Sequence, residues 1–368
     1  MSQGPALVVT GGGTGGHIYP GLAVVEALWS VAPGLPIQWV GVRGRLEERV
    51  VPRPGLETTF LPVATPAGGA SSLWSAAQSL AGAAGMIPRL RSWRAGAVLG
   101  LGSYVALPTS LAAVAQGVPL FLMEQNARPG KVNRWLAERA AGVFASFEPT
   151  AGTWGRARLH VVGNPVRASL LEQGRGELLP GDGAPWRLLV VGGSQGARVL
   201  NEEVPRWCGA LAREGVGVRV QHASGPSARD ETAARYRDEG VEAEVLPYID
   251  DMGEAYRRSH FVICRAGATT IAELSLMGLP ALYVPFRAAA DDHQRANAEA
   301  MVRAGGGVMV LEDEVRSDRP MRLLRSLLAH PEVVLRMGAS AQGVGRTDAA
   351  DVIAARLLAT LQGLREVV

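Results

Sequence analysis

The sequence predicts an α/β protein made of two Rossmann-like domains, each with a doubly wound parallel sheet, that face each other across a cleft. Short apolar runs alternate with helical patterns along the chain, which is typical of parallel sheets covered by helices. A strand, a glycine turn and a helix occupy residues 6–28, and the same pattern recurs at 186–204. The 368 residues also exceed what one hydrophobic core usually needs, so two domains are expected.

The predicted strands place the domain boundary. The first domain should span residues 1–163 and the second 164–344, because a Gly-, Pro- and acid-rich stretch precedes the second strand–turn–helix pattern. A helical pattern within 345–368 is expected to pack back on the first domain. Strands are predicted at residues 6–10, 37–42, 59–63, 97–100, 120–123, 143–146, 159–162, 216–221, 241–246, 261–264 and 281–284, and a further strand opens the pattern at 186–204.

The two predicted domains differ in charge. Residues 1–163 carry 13 Lys and Arg against seven Glu and no Asp, whereas the remainder of the chain is net negative. A basic first domain indicates an anionic partner, and the absence of RNA-binding or zinc-finger motifs favours an anionic membrane surface over nucleic acid. Cys208 and Cys264 have no metal-ligand spacing and no leader pattern precedes the first strand, so a cytoplasmic protein is expected.

The first glycine cluster, GGGTGGH at residues 11–17, lies between a strand and a helix, where backbone amides commonly approach a phosphate. Its glycines satisfy GxGxxG, so an NAD(P) oxidoreductase is one interpretation. A dinucleotide site also needs an acidic residue after the second strand, but that strand ends at Arg43, which leaves only an NADP enzyme open. His17 stands where a P-loop requires Lys, and this excludes a P-loop NTPase.

Two later segments favour a ligand that carries phosphate and sugar groups. A second glycine loop at residues 192–196 includes Ser194, whose hydroxyl can add a donor to a bound anion. In CRAGATTIAE at 264–273, small residues admit a base or sugar closely, and Glu273 is placed to accept hydrogen bonds from vicinal hydroxyls. A capping box formed by Thr270 and Glu273 explains the same pattern without a ligand.

Eight motifs span most of the chain in a characteristic order. They are GGTGGH (12–17), GSYVALP (102–108), EQNARPGKVNR (124–134), GNPVR (163–167), GGSQGAR (192–198), YIDDM (248–252), CRAGATTIAE (264–273) and HQRANA (293–298). Together they resemble the MurG-type N-acetylglucosaminyltransferases of glycosyltransferase family 28. The resemblance implies the two-domain GT-B fold, with the nucleotide sugar held mainly by the second domain.

The resemblance also implies a reaction and a location. An inverting transferase would move GlcNAc from UDP-GlcNAc to the 4-hydroxyl of the MurNAc sugar of lipid I, forming lipid II for peptidoglycan. It would work at the cytoplasmic face of the bacterial cell membrane, without a cofactor and beside other cell-wall enzymes. The sequence has no Asp-x-Asp, so no metal is expected, and helix N-termini are expected to stabilise the departing UDP instead. An enzyme similar to UDP-GlcNAc 2-epimerases shares the architecture and is the alternative.

Residue roles follow from the resemblance position by position. Ile249 would meet the uracil through its backbone, Glu273 the ribose, and Gln294 the GlcNAc hydroxyls. Ser194 and Arg167 would serve the diphosphate. The second domain would complete the pocket with Ala268, Thr269, Thr270, Ile271 and Ala272, and the first domain with Thr14, Gly15, Gly16 and Asn126.

His17 is the predicted general base. A helix N-terminus disfavours imidazolium, so a histidine there tends to stay neutral and able to accept the acceptor's proton. A histidine that only hydrogen-bonds a neighbouring loop is the alternative, and Glu124 is the second candidate base. The chain departs from the family pattern at Ser103, where glycine is usual, and at Met123, which replaces a histidine before Glu124.

Residues 71–94 are the predicted membrane contact. An apolar stripe followed by arginines suits an interfacial helix on anionic lipid. An ordinary core helix with a solvated basic end gives the same pattern. The stripe consists of Leu73, Ala77, Leu80, Ala84 and Ile87, with Trp74, Met86 and Trp93 nearby and Arg89, Arg91 and Arg94 following.

Overall fold

Parallel β-sheets organise the chain in a computed structural model that describes residues 4–61, 72–148, 153–193 and 195–363. The strands are β1 Ala6–Thr10, β2 Ile37–Val42, β3 Glu57–Leu61, β4 Ala95–Gly100, β5 Leu120–Glu124, β6 Gly142–Ala145, β7 Leu159–Val161, β8 Trp186–Val191, β9 Val218–Ala223, β10 Glu242–Leu246, β11 Phe261–Cys264, β12 Ala281–Tyr283 and β13 Gly307–Met309. The helices are α1 Gly15–Val31, α2 Leu46–Val50, α3 Ser72–Ser92, α4 Ser103–Gln116, α5 Lys131–Leu136, α6 Ala168–Glu172, α7 Arg198–Arg213, α8 Arg229–Asp238, α9 Met252–Arg258, α10 Ala268–Met277, α11 His293–Arg303, α12 Arg319–Leu328, α13 Pro331–Val344 and α14 Ala349–Leu361.

The chain divides into two compact units. One comprises Met1–Arg167 with Arg346–Val368, and the other comprises Ala168–Gly345. Helix α14 therefore belongs to the first unit, where Ile353 and Leu357 share a buried cluster with Leu22 and Val25 of α1. The division of labour between the units, with acceptor binding in the first and nucleotide binding in the second, stays a prediction.

Each unit has the strand order of a doubly wound sheet. Within the described residues, the first sheet runs β3-β2-β1-β4-β5-β6-β7 and the second runs β10-β9-β8-β11-β12-β13. Neighbouring strands in both sheets pair in parallel. The order reverses between β1 and β4 and between β8 and β11, and ligands of such sheets bind at the carboxyl ends of these strands. The prediction of two Rossmann-like units is confirmed.

Burial explains why continuous apolar runs predicted the central strands. All five residues of β1 are buried, and Leu7 and Val9 face one core cluster whereas Val8 faces another. A strand covered by helices on both faces has no solvent side, so its sequence does not alternate. The uncharged residues 95–123 likewise form β4, α4 and most of β5. Among the described residues, no helix combines the length and apolar character that crossing a bilayer requires.

Most predicted strands differ from the observed ones by one or two residues at an end; β9, for example, spans Val218–Ala223 instead of the predicted 216–221. The third strand is β3, Glu57–Leu61, and the last two residues of the predicted run 59–63 lie outside the described residues. Strand β13 was not predicted. It has only three residues, follows two glycines and lies at the sheet edge beside β12, so it has no alternating pattern to detect.

Candidate functional site

The second glycine loop connects β8 to α7 at the switch point of the second sheet. Gly193 and Gly196 have φ of +91° and +73°, which glycine adopts without strain. A Cβ on Gly196 would also collide with the carbonyl oxygen of Ser224. The loop therefore needs glycine for its backbone path, and Ser194, which was predicted to bind the diphosphate, lies outside the described residues.

A buried hydrogen-bond network supports this loop from below. Asn201 donates through Nδ2 to the carbonyl of Ser224 at 2.9 Å, so its Oδ1 faces His222 Nε2 at 3.0 Å. His222 Nδ1 lies 3.0 Å from the Tyr236 hydroxyl. This arrangement requires the proton on Nε2 and makes Nδ1 the acceptor for Tyr236. Burial lowers the pKa of His222 to about 3, so the imidazole stays neutral and Ser224 stays fixed against Gly196.

A cavity of about 710 Å³ opens beside this loop within the second unit. It lies where Gly192 follows β8 and Arg265 follows β11, at the carboxyl ends of the two strands that flank the switch point. Its volume is in the range of small-molecule and cofactor sites. The lining residues are Gly192, Gly193, Gln195, Gly196, Ala197, Arg198, Val199, Arg265, Gly267, Thr270, Phe286, Gln294, Glu312, Asp313 and Arg316.

Helix α10 begins at Ala268, directly after the short loop that follows β11. Its N-cap is Gly267 and no side chain caps it, so Thr270 is already inside the helix. The capping-box interpretation of Thr270 and Glu273 is therefore wrong. Thr270 lines the cavity, whereas the side chain of Ile271 is buried in the protein, so Ile271 can reach a ligand only through its backbone.

Glu273 has a buried tyrosine as its partner. The hydroxyl of Tyr256 donates to Glu273 Oε2 at 2.8 Å and joins α9 to α10. Ile249, which was predicted to meet the uracil, is half-buried in the segment between β10 and α9. Asp251 caps α9 by accepting a hydrogen bond from the Glu254 amide at 3.0 Å.

Polar groups that the sequence analysis did not select form another wall of the cavity. Arg265 pairs with Glu312 at 2.8 Å and donates to the carbonyl of Val284 at 3.1 Å. Burial alone would raise the pKa of Glu312, but hydrogen bonds from Arg265 and from the Arg287 amide lower it below its usual value. Gln294, which was predicted to contact the GlcNAc hydroxyls, also lines the cavity and accepts from the Phe286 amide through Oε1 at 3.0 Å. Arg265 directly follows a buried strand, and this position could have identified it in the sequence as a candidate site residue.

The first glycine loop connects β1 to α1 and contains a feature that the sequence did not predict. Glu47 is fully buried beneath the loop; its Oε2 accepts from the Gly13 amide at 3.0 Å and its Oε1 from the Val42 amide at 3.2 Å. The same carboxylate fills the space that a side chain on Gly12 would need. The expectation that both glycine loops present their amides to phosphate is wrong at Gly13, because Glu47 already binds that amide.

His17 lies in the first turn of α1. Its Nδ1 is 3.1 Å from the hydroxyl of Thr14, the N-cap residue, which makes no side-chain cap of its own. A Cβ on Gly102 would lie 3.5 Å from the His17 ring, so the loop before α4 passes close by. Gly15 and Gly16 open the same helix, and Gly15 packs near Tyr19. The structure thus brings Thr14, Gly15, Gly16 and His17 together.

Glu124 ends β5 and organises the loop that follows it. Its Oε1 accepts from the backbone and side chain of Asn126 at 3.0 and 3.2 Å, and its Oε2 accepts from the Gly130 amide and Asn133 Nδ2, both at 2.9 Å. Burial raises the pKa of Glu124 although these hydrogen bonds act to lower it. A carboxylate with four donors is suited to hold a loop.

The departure at Ser103 has a local structural consequence. Ser103 has φ of +63°, a left-handed conformation that costs a residue other than glycine about 1 kcal/mol. Its hydroxyl donates to the carbonyl of Gly12 at 3.3 Å and accepts from the Val105 amide at 3.3 Å. The serine therefore links the start of α4 to the first glycine loop.

Arg167 lies at the end of the first unit's main segment. Its guanidinium stacks over the ring of Tyr19 in α1, with 4.9 Å from Cζ to the ring centroid. Stacking of this kind holds a guanidinium in a fixed plane while its charge remains available. Its predicted contact with the diphosphate stays a prediction.

Two doubly wound units, with glycine turns at their switch points and a cavity at the carboxyl ends of β8 and β11, are typical of a two-domain α/β enzyme that binds a nucleotide. Residues 7–145 match the glycosyltransferase family 28 N-terminal domain, and residues 187–353 match the family's C-terminal domain. The chain belongs to glycosyltransferase family 28.

Individual relatives agree with the family match. The chain is 38% identical over 373 residues to the UDP-N-acetylglucosamine–N-acetylmuramyl-(pentapeptide) pyrophosphoryl-undecaprenol N-acetylglucosamine transferase of Pelobacter propionicus, covering 96% of this chain and 98% of the relative. It resembles the crystal structure of Acinetobacter baumannii MurG with a TM-score of 0.78 and 27% identity, covering 96% and 99% of the two chains. A UDP-GlcNAc 2-epimerase from Neisseria meningitidis bound to UDP-GlcNAc shares the fold, with a TM-score of 0.66 and 16% identity over 96% and 99%.

Proposed function

We propose that this protein transfers GlcNAc from UDP-GlcNAc to the 4-hydroxyl of the MurNAc sugar of lipid I and so forms lipid II for peptidoglycan. The observation that carries the proposal is the cavity at the switch point of the second unit, bounded by a glycine loop, the start of α10 and Gln294. The names of the full-length relatives support the same reaction. The 2-epimerase alternative has only the shared fold in its favour.

The donor occupies the second unit in this proposal. The amides at the start of α7 and the glycine loop face the diphosphate, since a helix N-terminus favours negative charge. Arg198 and Arg316 line the same cavity, and both pair with Glu202, at 3.6 and 2.9 Å. Ala268, Thr269, Thr270, Ile271 and Ala272 border the nucleotide, Ile249 meets the uracil, Glu273 the ribose and Gln294 the sugar.

The chemistry requires a base and stabilisation of the departing nucleotide. His17 takes the proton of the acceptor hydroxyl while its oxygen attacks the anomeric carbon, and UDP leaves with the electron pair of the broken bond, which inverts the configuration. Thr14 orients the imidazole through Nδ1, leaving Nε2 for the acceptor. We assign Glu124 to holding the loop that carries Asn126, since its oxygens already accept four hydrogen bonds.

Helix α3 is proposed to contact an anionic membrane surface at the cytoplasmic face. Leu80 is 64% exposed and Ala84 is also exposed, whereas Met86 and Leu90 on the opposite side are buried in the core. Arg89 and Arg91 are exposed beyond this apolar surface. The helix thus has both a core face and an outer apolar face. The side chains of Leu73, Trp74 and Ala77 lie outside the described residues.

Incubation with labelled UDP-GlcNAc and a lipid I analogue in the presence of EDTA tests the proposed reaction. We expect release of UDP and one equivalent of a lipid-linked β-1,4 disaccharide, because backbone amides and arginines replace a metal ion at the diphosphate. Conversion of the donor to another UDP-hexosamine without acceptor would establish the epimerase instead. If the assay yields neither the disaccharide nor another UDP-hexosamine, the proposed function is refuted.

The same assay with the acceptor in vesicles tests the membrane contact. Turnover should be faster on vesicles with anionic lipid than on zwitterionic ones, and Leu80→Glu should remove that difference. Leu335→Glu is the matched control, because Leu335 is an exposed leucine of the second unit. Equal turnover on both kinds of vesicle would exclude an electrostatic membrane contact.

A further inference from the structure

We propose that Tyr256 is a positioning residue for the donor nucleotide, because its hydroxyl holds the Glu273 carboxylate in the orientation that receives the ribose hydroxyls. This inference rests on the proposed function, in which Glu273 binds the ribose. The hydrogen bond runs from Tyr256 on α9 to Glu273 Oε2 on α10 at 2.8 Å. Tyr256 is 1% exposed, so solvent does not compete for this contact.

The tyrosine is a fixed donor. Burial, followed by the charge of Glu273, raises the pKa of Tyr256 well above its usual range, so the phenol keeps its proton. Glu273 is only half-buried and has several rotatable bonds, which a ligand would otherwise have to immobilise at an entropic cost. A partner that fixes the carboxylate beforehand removes part of this cost from binding.

The same hydrogen bond connects two parts of the nucleotide site. Helix α9 begins just after Ile249 and is held at its start by Asp251, which accepts from the Glu254 amide and from Gln173 Nε2, each at 3.0 Å. Helix α10 carries Glu273. Tyr256 therefore ties the segment assigned to the base to the helix assigned to the ribose, so that both recognise one rigid nucleoside.

The test compares Tyr256→Phe with Tyr283→Phe by titration with UDP and with 2′-deoxy-UDP. Tyr283 is also fully buried, and its hydroxyl has no hydrogen-bond partner within the described part of the chain. Tyr256→Phe should raise the Kd for UDP about tenfold, as loss of a charge-assisted hydrogen bond predicts. It should also reduce the preference for UDP over 2′-deoxy-UDP, with kcat changed by less than about twofold, because Tyr256 does not touch the reacting atoms. Tyr283→Phe should leave both the Kd for UDP and the preference for UDP over 2′-deoxy-UDP unchanged.

Glu273→Ala and Glu273→Asp separate the inference from the function on which it rests. If Glu273→Ala weakens UDP binding but Tyr256→Phe leaves the Kd and the preference unchanged, the inference is overturned and the proposed function stands. If Glu273→Ala leaves UDP binding unchanged, the proposed donor site is wrong and the inference falls with it. The double variant Tyr256→Phe/Glu273→Asp should bind UDP no more weakly than whichever single variant binds it more weakly. If the losses of UDP binding free energy in the two single variants instead add up in the double variant, the two residues act independently and the inference is overturned.

Discussion

Replacing His17 with alanine should lower kcat by roughly 10²- to 10⁴-fold, because the acceptor hydroxyl then loses its general base. The KM for UDP-GlcNAc should change little, since the donor is assigned to the second unit and His17 lies in the first. Initial rates over a range of donor concentrations at saturating acceptor separate the two effects.

His330→Ala is the matched control for this variant. His330 also stands at the start of a helix, as the N-cap residue of α13 without a side-chain cap, and its Nδ1 contacts the carbonyl of Ser326 at 2.7 Å in the second unit. It should keep normal turnover. A His17→Ala protein with near-normal kcat would move the base elsewhere, and loss of the acidic limb of the pH profile in Glu124→Gln would indicate Glu124, because a general base must be deprotonated to act.

Glu47→Gln should disturb the first glycine loop more than any other substitution that neutralises a charged side chain near that loop. The amide places an NH₂ group where one oxygen now accepts from Gly13 or Val42, so one buried backbone N–H loses its acceptor. We expect the free energy of unfolding to fall by about 1–3 kcal/mol. We also expect kcat to fall by about tenfold or more, because a displacement of the loop misplaces His17.

Glu48→Gln is the matched control, because it makes the same chemical change at the exposed neighbouring position. Glu48 is the exposed neighbour of Glu47 and accepts a hydrogen bond from the Gly44 amide at 2.8 Å. Its change should shift stability by less than about 0.5 kcal/mol. Urea unfolding and steady-state rates on both variants provide the comparison. Wild-type stability and turnover in Glu47→Gln would show that the loop does not depend on this carboxylate.

The fold was predictable because its signals are local. Buried parallel strands such as β1 and β11 have short, continuously apolar sequences, and the glycine turns after β1 and β8 mark the switch points of both sheets. The motif at residues 264–273 also placed Glu273 on the correct helix. Strand β13 was not predicted, because three residues at a sheet edge are too few to show a hydrophobic periodicity.

The supporting residues of the site were not predictable from the same signals. Glu47 contacts Gly13 across 34 positions of sequence, and nothing distinguishes it locally from Glu48. Tyr256 looks like any core tyrosine until α9 and α10 are packed together. Sequence motifs thus gave the residues that are proposed to face a ligand, whereas the residues that hold them in place depend on tertiary contacts.

A crystal structure with UDP-GlcNAc bound tests the central claim most directly. The account predicts the donor in the second unit's cavity, with the diphosphate against the glycine loop that precedes α7, the ribose hydroxyls on Glu273 and the sugar beside Gln294. A nucleotide bound at the first glycine loop, with its phosphates on residues 11–16, would contradict it.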